Sequence, residues 1–394
     1  MTDSFIYDAV RTRVGKYAGG MAGVRPDDMA AGVIRSILDR NPSLDPGAID
    51  DVFLGNANGA GEENRNVARM ASILAGLPTS VPGTTVNRLC GSGLEAVVQA
   101  SRAVETGDGE LLLAGGVESM TRAPWVMAKP EKGFPRHDEA LMSTTLGWRF
   151  ANPLMPMQWR VSLGASAEIL ADRYGISREQ QDQFAFDSHQ KASTTWDRGD
   201  FEAEVVTIEG EKLERDESIR PDTSLAKLAT LSPAFREGGT VTGGNSSPLN
   251  DGASAVVVGS SSAQARHGLS PMARIAGRGV SGIDPDIFGI GPVEAAERAL
   301  RRAGIGWGDL DAVELNEAFA AQSLACIQLW PDLNPAIVNR WGGAIALGHA
   351  LGSSGSRILT TLVHGLRRTG GRWGLAALCV GVGQGIALVV EVDD

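Results

Sequence analysis

Thr84-Thr-Val-Asn-Arg-Leu-Cys-Gly-Ser-Gly-Leu94 is the stretch on which the reading of this chain turns. Thr84 to Cys90 reads as an extended run. Gly91-Ser-Gly93 then opens a long helix through Leu94, Val97, Val98 and Val104, the spacing of a buried helical face. Glu110-Leu-Leu-Leu-Ala-Gly-Gly116 follows as a buried strand stopped by paired glycines. Upstream, Asp51-Val-Phe-Leu54 reads as a strand, and residues 64–76 as a helix with Val67, Met70, Ala71 and Leu74 on one face. Strand, helix and strand in that order predict layered α/β architecture with buried sheets.

The plan recurs in the second half. Residues 34–53 carry a helix and then Leu44-Asp-Pro-Gly-Ala-Ile-Asp-Asp-Val-Phe53. Residues 296–315 carry a helix and then Gly304-Ile-Gly-Trp-Gly-Asp-Leu-Asp-Ala-Val-Glu-Leu315. Val86-Asn-Arg88 is echoed by Val338-Asn-Arg340, and Gly91-Ser-Gly93 by Gly352-Ser-Ser-Gly355. A long helix and an apolar strand come after each, the second strand being Ala376-Ala-Leu-Cys-Val-Gly381. Two similar halves packed together set equivalent loops around a common cleft, so a site made from both halves is expected there. Residues 1–120 and 240–270 read as the first half and 271–394 as the second. Residues 121–239, with scattered Pro, Met and Trp and a helical stretch at 182–196, fit a loop domain laid over the two-half core or an ordinary long insertion.

Composition narrows the function. Of 394 residues 50 are glycine, well above the ~7 % of average usage. Hydrophobic residues make up 43 % and charged residues 21 %, the balance of a folded globular protein. With 47 acidic and 36 basic side chains the net charge is -11, which argues against binding a nucleic-acid backbone. Three cysteines cannot form a disulfide framework and suit a reducing compartment. With no signal-peptide pattern, no apolar run that would span a bilayer and no peroxisomal ending, the chain reads as cytoplasmic and free of membranes.

Cys90 stands where the extended run meets the helix start. Amides point outward at a helix N-terminus and its dipole favours an anion, so a thiolate is favoured there. The alternative is a small core residue. His349 lies in Gly342-Gly-Ala-Ile-Ala-Leu-Gly-His-Ala-Leu-Gly-Ser-Ser-Gly355 and is one of five histidines. A neutral imidazole there can take the Cys90 proton or donate to a developing oxyanion; the alternative is a buried, hydrogen-bonded histidine. Cys379, in Leu378-Cys-Val-Gly-Val-Gly-Gln-Gly385, ends a strand at the loop equivalent to the first half's glycine pair. Cys326, in an apolar helical setting, reads as core. No metal-ligand spacing and no phosphate loop is present, so no metal is expected.

Val86-Asn-Arg-Leu-Cys-Gly-Ser-Gly93, Asn316-Glu-Ala-Phe-Ala320, Gly342-Gly-Ala-Ile-Ala-Leu-Gly-His349 and Cys379-Val-Gly-Val-Gly-Gln-Gly385 resemble, in order, the four signature blocks of the thiolases. Ala114-Gly-Gly-Val-Glu-Ser-Met120 and Gly244-Asn-Ser-Ser-Pro-Leu-Asn-Asp-Gly252 also match, and the resemblance covers essentially the whole chain. It implies the thiolase fold, duplicated five-layered α-β-α-β-α halves with an inserted loop domain, assembled as a homodimer or homotetramer. It implies CoA-dependent cleavage of a 3-oxoacyl-CoA, or the reverse Claisen condensation, with coenzyme A as co-substrate and no permanently bound cofactor. By resemblance Cys90 is the acylated nucleophile. His349 activates it and binds the thioester oxygen, with Asn316 as its partner through a water. Cys379 is the second acid/base, and the amides of Cys90 and Gly381 form the other oxyanion hole. Around CoA the resemblance places Arg220, Phe235 and Ser247, with Lys227 as an added phosphate contact.

Chemistry supports that assignment independently. Cleaving a carbon–carbon bond between a ketone and a thioester needs a nucleophile that leaves as an activated thioester. It also needs two sets of charge-stabilising donors and an acid/base for the α-carbon. A Cys–His pair suffices for hydrolysis; the second cysteine points to carbon–carbon chemistry.

Residues 61–70, 121–127 and 144–153 look like the β-ketoadipyl-CoA thiolases of aromatic degradation. That branch must accept a terminal carboxylate, for which Arg136, His137, Arg149 and Arg160 are candidates. The expected substrate is 3-oxoadipyl-CoA or a medium 3-oxoacyl-CoA. Three features depart from the family pattern: Ala350 after the histidine, Trp341, and Leu163-Gly-Ala-Ser-Ala-Glu168. These departures leave the substrate choice open, a bulky Trp341 indole being able to narrow or reshape the acyl pocket. The alternatives are a biosynthetic acetoacetyl-CoA thiolase and a thiolase-like acyl-CoA binding protein without turnover.

Overall fold

In the computed structural model, residues 2–134 and 136–393 are described. The first half runs β1 (Ser4–Thr12), α1 (Pro26–Arg40), β2 (Asp51–Gly55), α2 (Val67–Leu74), β3 (Thr84–Val86), α3 (Ser92–Thr106) and β4 (Leu111–Ser119). A long excursion carries α4 (Leu163–Tyr174) and α5 (Arg178–Asp197), and the chain returns as β5 (Asn250–Ser260). The second half runs β6 (Ala273–Gly282), α6 (Gly291–Ala303), β7 (Ala312–Leu315), α7 (Ala320–Gln328), α8 (Leu351–Thr369), β8 (Trp373–Val380) and β9 (Gln384–Glu391).

Strand order makes the duplication explicit. The hydrogen-bonded path is β7-β8-β9-β6-β1-β5-β4-β2-β3. In each half the first strand lies beside the last: β1 next to β5, and β6 next to β9. The halves join where β1 meets β6 antiparallel, with Phe5 opposite Arg274 and Ile6 opposite Ala273.

Five layers result. The α1 and α2 helices cover one outer face, over a core of Met29, Ile34, Val52, Val257 and their neighbours. The α6 helix covers the other, over Ala299, Leu300, Val389 and the stacked pair Trp307–Trp330. Between the two halves of this one sheet α3 and α8 pack against each other, and Leu94, Val98, Leu359 and Leu362 fill one shared core with residues of both halves. Strands covered on both faces need no polar side, which is why all nine residues of β4 and all eleven of β5 are buried.

Two local expectations change. The extended run ends at Val86, because Leu89 has φ +46° and turns the chain into α3. The helix expected at 64–76 begins only at Val67: Asn64 and Arg65 have φ of +48° and +65°, and the Asn66 side chain caps the Arg69 amide. The helix expected at 182–196 lies within α5, whose capping box pairs Ser177 with Gln180.

Candidate active site

Cys90 and His349 each stand just before a helix of the central layer, and glycines let those two helix starts touch. A Cβ on Gly93 would lie 2.6 Å from Ser356 Oγ and 2.7 Å from the Gly352 carbonyl. One on Gly355 would lie 2.3 Å from the Leu94 amide nitrogen. No larger residue fits this crossing, so the paired Gly/Ser helix starts serve close approach of the two halves.

Cys90 is held by a tight turn. Ser92 Oγ donates to the Leu89 carbonyl at 2.6 Å and accepts from the Arg88 amide at 2.9 Å. The residue before the cysteine, Leu89, takes a left-handed conformation that a branched side chain rarely adopts, strain of the kind found at working sites. On the facing loop Val382 does the same, with φ +62°. That loop packs on the turn, where a Cβ on Gly381 would lie 3.2 Å from Leu89 Cδ1, and the Gly381 and Cys90 amides both pull the Cys90 thiol down.

The thiol environment corrects the sequence expectation of a dipole-stabilised thiolate. Cys90 is 6 % exposed, and burial pushes its thiol up to about 11, against the opposing pull of the Gly381 amide. Desolvation outweighs the helix start because α3 begins two residues later, at Ser92. Cys379 is fully buried, among Leu163, Phe288, Ala318 and Phe319. Burial first, and then the neighbouring Cys90 and Cys326, raise its thiol well above the usual range. Both thiols are therefore protonated at rest. Cys326 is a core residue: its Sγ donates to the Gly289 carbonyl at 3.3 Å.

His349 is 4 % exposed, and burial followed by the charge of Arg357 lowers it to about 3, so the ring is neutral. Its tautomer follows from its neighbours. Ser354 Oγ donates to the Ala350 carbonyl at 2.8 Å, so it accepts from His349 Nδ1 at 2.6 Å. Nε2 is left with a lone pair, 3.4 Å from Asn316 Nδ2. Asn316 Oδ1 is buried without a hydrogen-bond partner among the described residues. The His349 backbone is pinned by Asn250, whose Oδ1 accepts its amide at 2.8 Å. Asn316 is braced by the next residue: the Glu317 carboxylate accepts from Ser188, Asn339 and the Ile345 amide.

Ser247, Phe235, Arg220 and Lys227 fall into two groups. Ser247 Oγ and its amide both donate to the Ala318 carbonyl, at 3.1 and 3.0 Å, tying it to the Asn316 block. Phe235 is half-exposed, edge-on to Phe319 at 5.9 Å, with its ring against Gly164 at the start of α4. Arg220 and Lys227 lie on one exposed stretch, and the Lys227 ammonium is held by the Asp222 carboxylate at 2.7 Å.

The departures at Trp341 and Ala350 resolve differently. Trp341 is 5 % exposed in the central core, and a Cβ on Gly365 would lie 2.2 Å from its indole. Gly365 is far along α8 from the His349 end, roughly 20 Å at the helical rise. The expectation that Trp341 shapes the acyl pocket is therefore corrected: it fills the core at the remote end of α8. Ala350 caps α8 with φ -73°, the value a prolyl ring enforces, so the turn keeps its shape.

Sequence reading missed Ser354, Asn250, Glu317 and Glu118. Glu118 is buried and accepts from the Ala57, Asn58 and Gly352 amides; burial pushes it up to about 7. Its position at the end of a glycine-stopped strand was visible, but its partners come from two separate segments, residues 57–58 and residue 352. Among the described residues no group of three or more His, Cys, Asp or Glu could hold a metal. No helix among them is long and apolar enough to cross a membrane. A fixed neutral imidazole, two protonated thiols and two amides acting on one thiol can together support acyl transfer with proton exchange.

The chain is similar over nearly its whole length to proteins of one family. Residues 4–262 match the family described as thiolase, N-terminal domain, and residues 269–392 thiolase, C-terminal domain. A β-ketoadipyl-CoA thiolase of Escherichia coli is 50 % identical over 401 residues, covering 99 % of this chain and all of the relative. A 3-oxoadipyl-CoA/3-oxo-5,6-dehydrosuberyl-CoA thiolase of E. coli K12 is 49 % identical with the same coverage. The crystal structure of human mitochondrial 3-ketoacyl-CoA thiolase in complex with CoA superposes with a TM-score of 0.94 at 38 % identity, covering 100 % of this chain and 98 % of that one.

Proposed function

The chain belongs to the thiolase family, and from that premise we propose that its substrate is 3-oxoadipyl-CoA, cleaved with free coenzyme A to acetyl-CoA and succinyl-CoA. Thiolytic cleavage of a 3-oxoacyl-CoA is its reaction class. The finer choice of substrate draws on the names of the relatives and on the chemistry of the site.

We assign the steps as follows. Cys90 sulfur attacks the 3-oxo carbon while its proton passes to His349 Nε2; with a thiol near 11 and an imidazole near 3, transfer accompanies attack rather than preceding it. The amides of Cys90 and Gly381 receive the alkoxide. The bond between C2 and C3 then breaks, leaving a succinyl thioester on Cys90 and the enolate of acetyl-CoA. Protonated Nε2 and Asn316 hold the enolate oxygen. Cys379 gives its proton to C2 and regains one from the incoming CoA thiol. That CoA sulfur takes the succinyl group, and His349 returns its proton to Cys90. The carrying observation is that the loop after Cys379 packs on the turn that holds Cys90: a Cβ on Gly91 would lie 2.9 Å from Val380 Cγ2, and one on Gly381 3.2 Å from Leu89 Cδ1.

For CoA we assign Phe235 and Ser247 to the pantetheine arm and adenine, and Arg220 and Lys227 to phosphate. Lys227 has to exchange Asp222 for the ligand. We also propose a cytoplasmic homodimer or homotetramer. Trp125, Met127, Leu141, Leu146 and Leu154 are exposed on the excursion, an apolar surface of the kind subunits cover.

The test is CoA-dependent loss of the magnesium-enolate absorbance with acetoacetyl-CoA, 3-oxohexanoyl-CoA and 3-oxoadipyl-CoA. The highest kcat/KM is expected for 3-oxoadipyl-CoA; an uncharged chain as best substrate overturns the assignment. Cys90→Ser is expected to abolish the acyl-enzyme adduct in intact-protein mass spectrometry.

A further inference from the structure

We propose that Arg160 binds the far carboxylate of the acyl chain and so selects 3-oxoacyl-CoA substrates that end in a carboxylate. The inference rests on the thiolase reading above and names the residue that carries its substrate choice.

Position is the first ground. Arg160 closes the short helix Met157–Arg160, which packs against the turn Pro285–Ile290. Three residues later Leu163 opens α4, and its side chain lies 3.9 Å from where a Cβ on Gly381 would stand. Leu163 also clusters with Cys379. Arg160 thus lies three residues before the Leu163 side chain that packs beside Cys379 and Gly381.

Its state is the second ground. The residue is half-buried, and its Nε is shut away from solvent with no hydrogen-bond partner. Its side chain forms no ion pair or hydrogen bond among the described residues. Arg65, Arg173 and Arg198 also lack a side-chain partner among the described residues, but they are exposed, while Arg178 and Arg236 of the same excursion are held by Asp182 and Asp172. A guanidinium nitrogen buried without an acceptor is costly, and a carboxylate from the substrate supplies the partner in a fork geometry.

The other cations of this region lack this combination. Arg136 and His137 are exposed. Arg149 already donates to Asn58 Oδ1 at 3.1 Å and to the Thr144 carbonyl. Arg160 alone among the four has a buried donor with nothing to give it to. In the acyl-enzyme, the group to be held is the free carboxylate of the succinyl unit on Cys90.

The experiment compares kcat/KM of wild type, Arg160→Gln and Arg160→Lys on 3-oxoadipyl-CoA and on 3-oxohexanoyl-CoA, which carries a methyl in place of the carboxylate. Arg160→Gln is expected to lose roughly 10- to 100-fold on 3-oxoadipyl-CoA and to stay within about twofold on 3-oxohexanoyl-CoA. Arg160→Lys is expected to fall between, keeping the charge but not the fork. An equal loss on both substrates overturns the proposal, since it means a structural role or a contact to CoA. So does an unchanged preference in either variant. A wild type that does not prefer 3-oxoadipyl-CoA overturns the substrate reading itself, which separates the two failures. Thermal unfolding of each variant confirms the fold, and Arg160→Lys carries the test if Arg160→Gln does not fold.

Discussion

Ser354 accepts the Nδ1 proton of His349 at 2.6 Å while giving its own to the Ala350 carbonyl at 2.8 Å. One hydroxyl therefore decides which imidazole nitrogen is free to take a proton. Replacing it by alanine leaves Nδ1–H unpaired in a buried site and lets the ring take the other tautomer. Ser354→Ala is expected to lower kcat about tenfold or more with KM nearly unchanged, and Ser354→Thr to recover part of it, in steady-state thiolysis. A KM rise without a kcat loss would count against the tautomer role. Cys90 was legible from its motif, but its protonation state was not. That state depends on what surrounds the sulfur, and those neighbours come from residues 381 and 118.

At the scale of elements, the middle layer consists of two helices whose near ends carry chemistry and whose far ends carry packing. The indole of Trp341 occupies the space over Gly365 and lies under the guanidinium of Arg368, 5.6 Å from its ring centroid. Trp341→Ala removes a large buried side chain and is expected to cost about 3–5 kcal/mol in urea unfolding. The ratio of kcat/KM between short and long acyl chains is expected to stay as in wild type. A changed chain-length profile would return Trp341 to the pocket. The helix and strand plan of both halves was visible in apolar spacing. Which end of α8 a bulky residue met was not, since it depends on the crossing at Gly93 and Gly355.

Across the whole molecule, buried titrating groups pull stability in opposite directions with pH. His349 and His189 sit neutral at about 3 and about 4, lowered from 6.5 mainly by burial, so the unfolded chain binds the extra protons between those values and 6.5. Their effect destabilises as pH falls. Glu118 and Glu314 are raised from 4.5 to about 7 and about 8, again chiefly by burial. The folded state holds those protons, so their contribution is full below 4.5 and is lost as pH rises through 7 and 8. The slopes oppose each other up to 6.5, and above it the carboxyls act alone. The unfolding free energy from urea titrations is expected to fall from pH 6.5 to about 8, by up to about 1.4 kcal/mol per pH unit for each group until its own folded value is passed. Glu314→Gln is expected to flatten part of that fall; a free energy constant over the range in wild type would contradict the assignment.

The α/β plan and its duplication could be read from the chain alone, and Cys90, Asn316, His349 and Cys379 stood out as candidates, because periodicity and short motifs are properties of neighbouring residues. The strand order repeats the duplication seen in the paired motifs. The tautomer of His349, the neutral state of the two thiols, the role of Trp341 and the lack of a side-chain partner for Arg160 emerge only in the folded chain. Each depends on desolvation or contact between segments far apart in the chain. No local pattern records how closely two helices pass, or which buried donor is left without an acceptor.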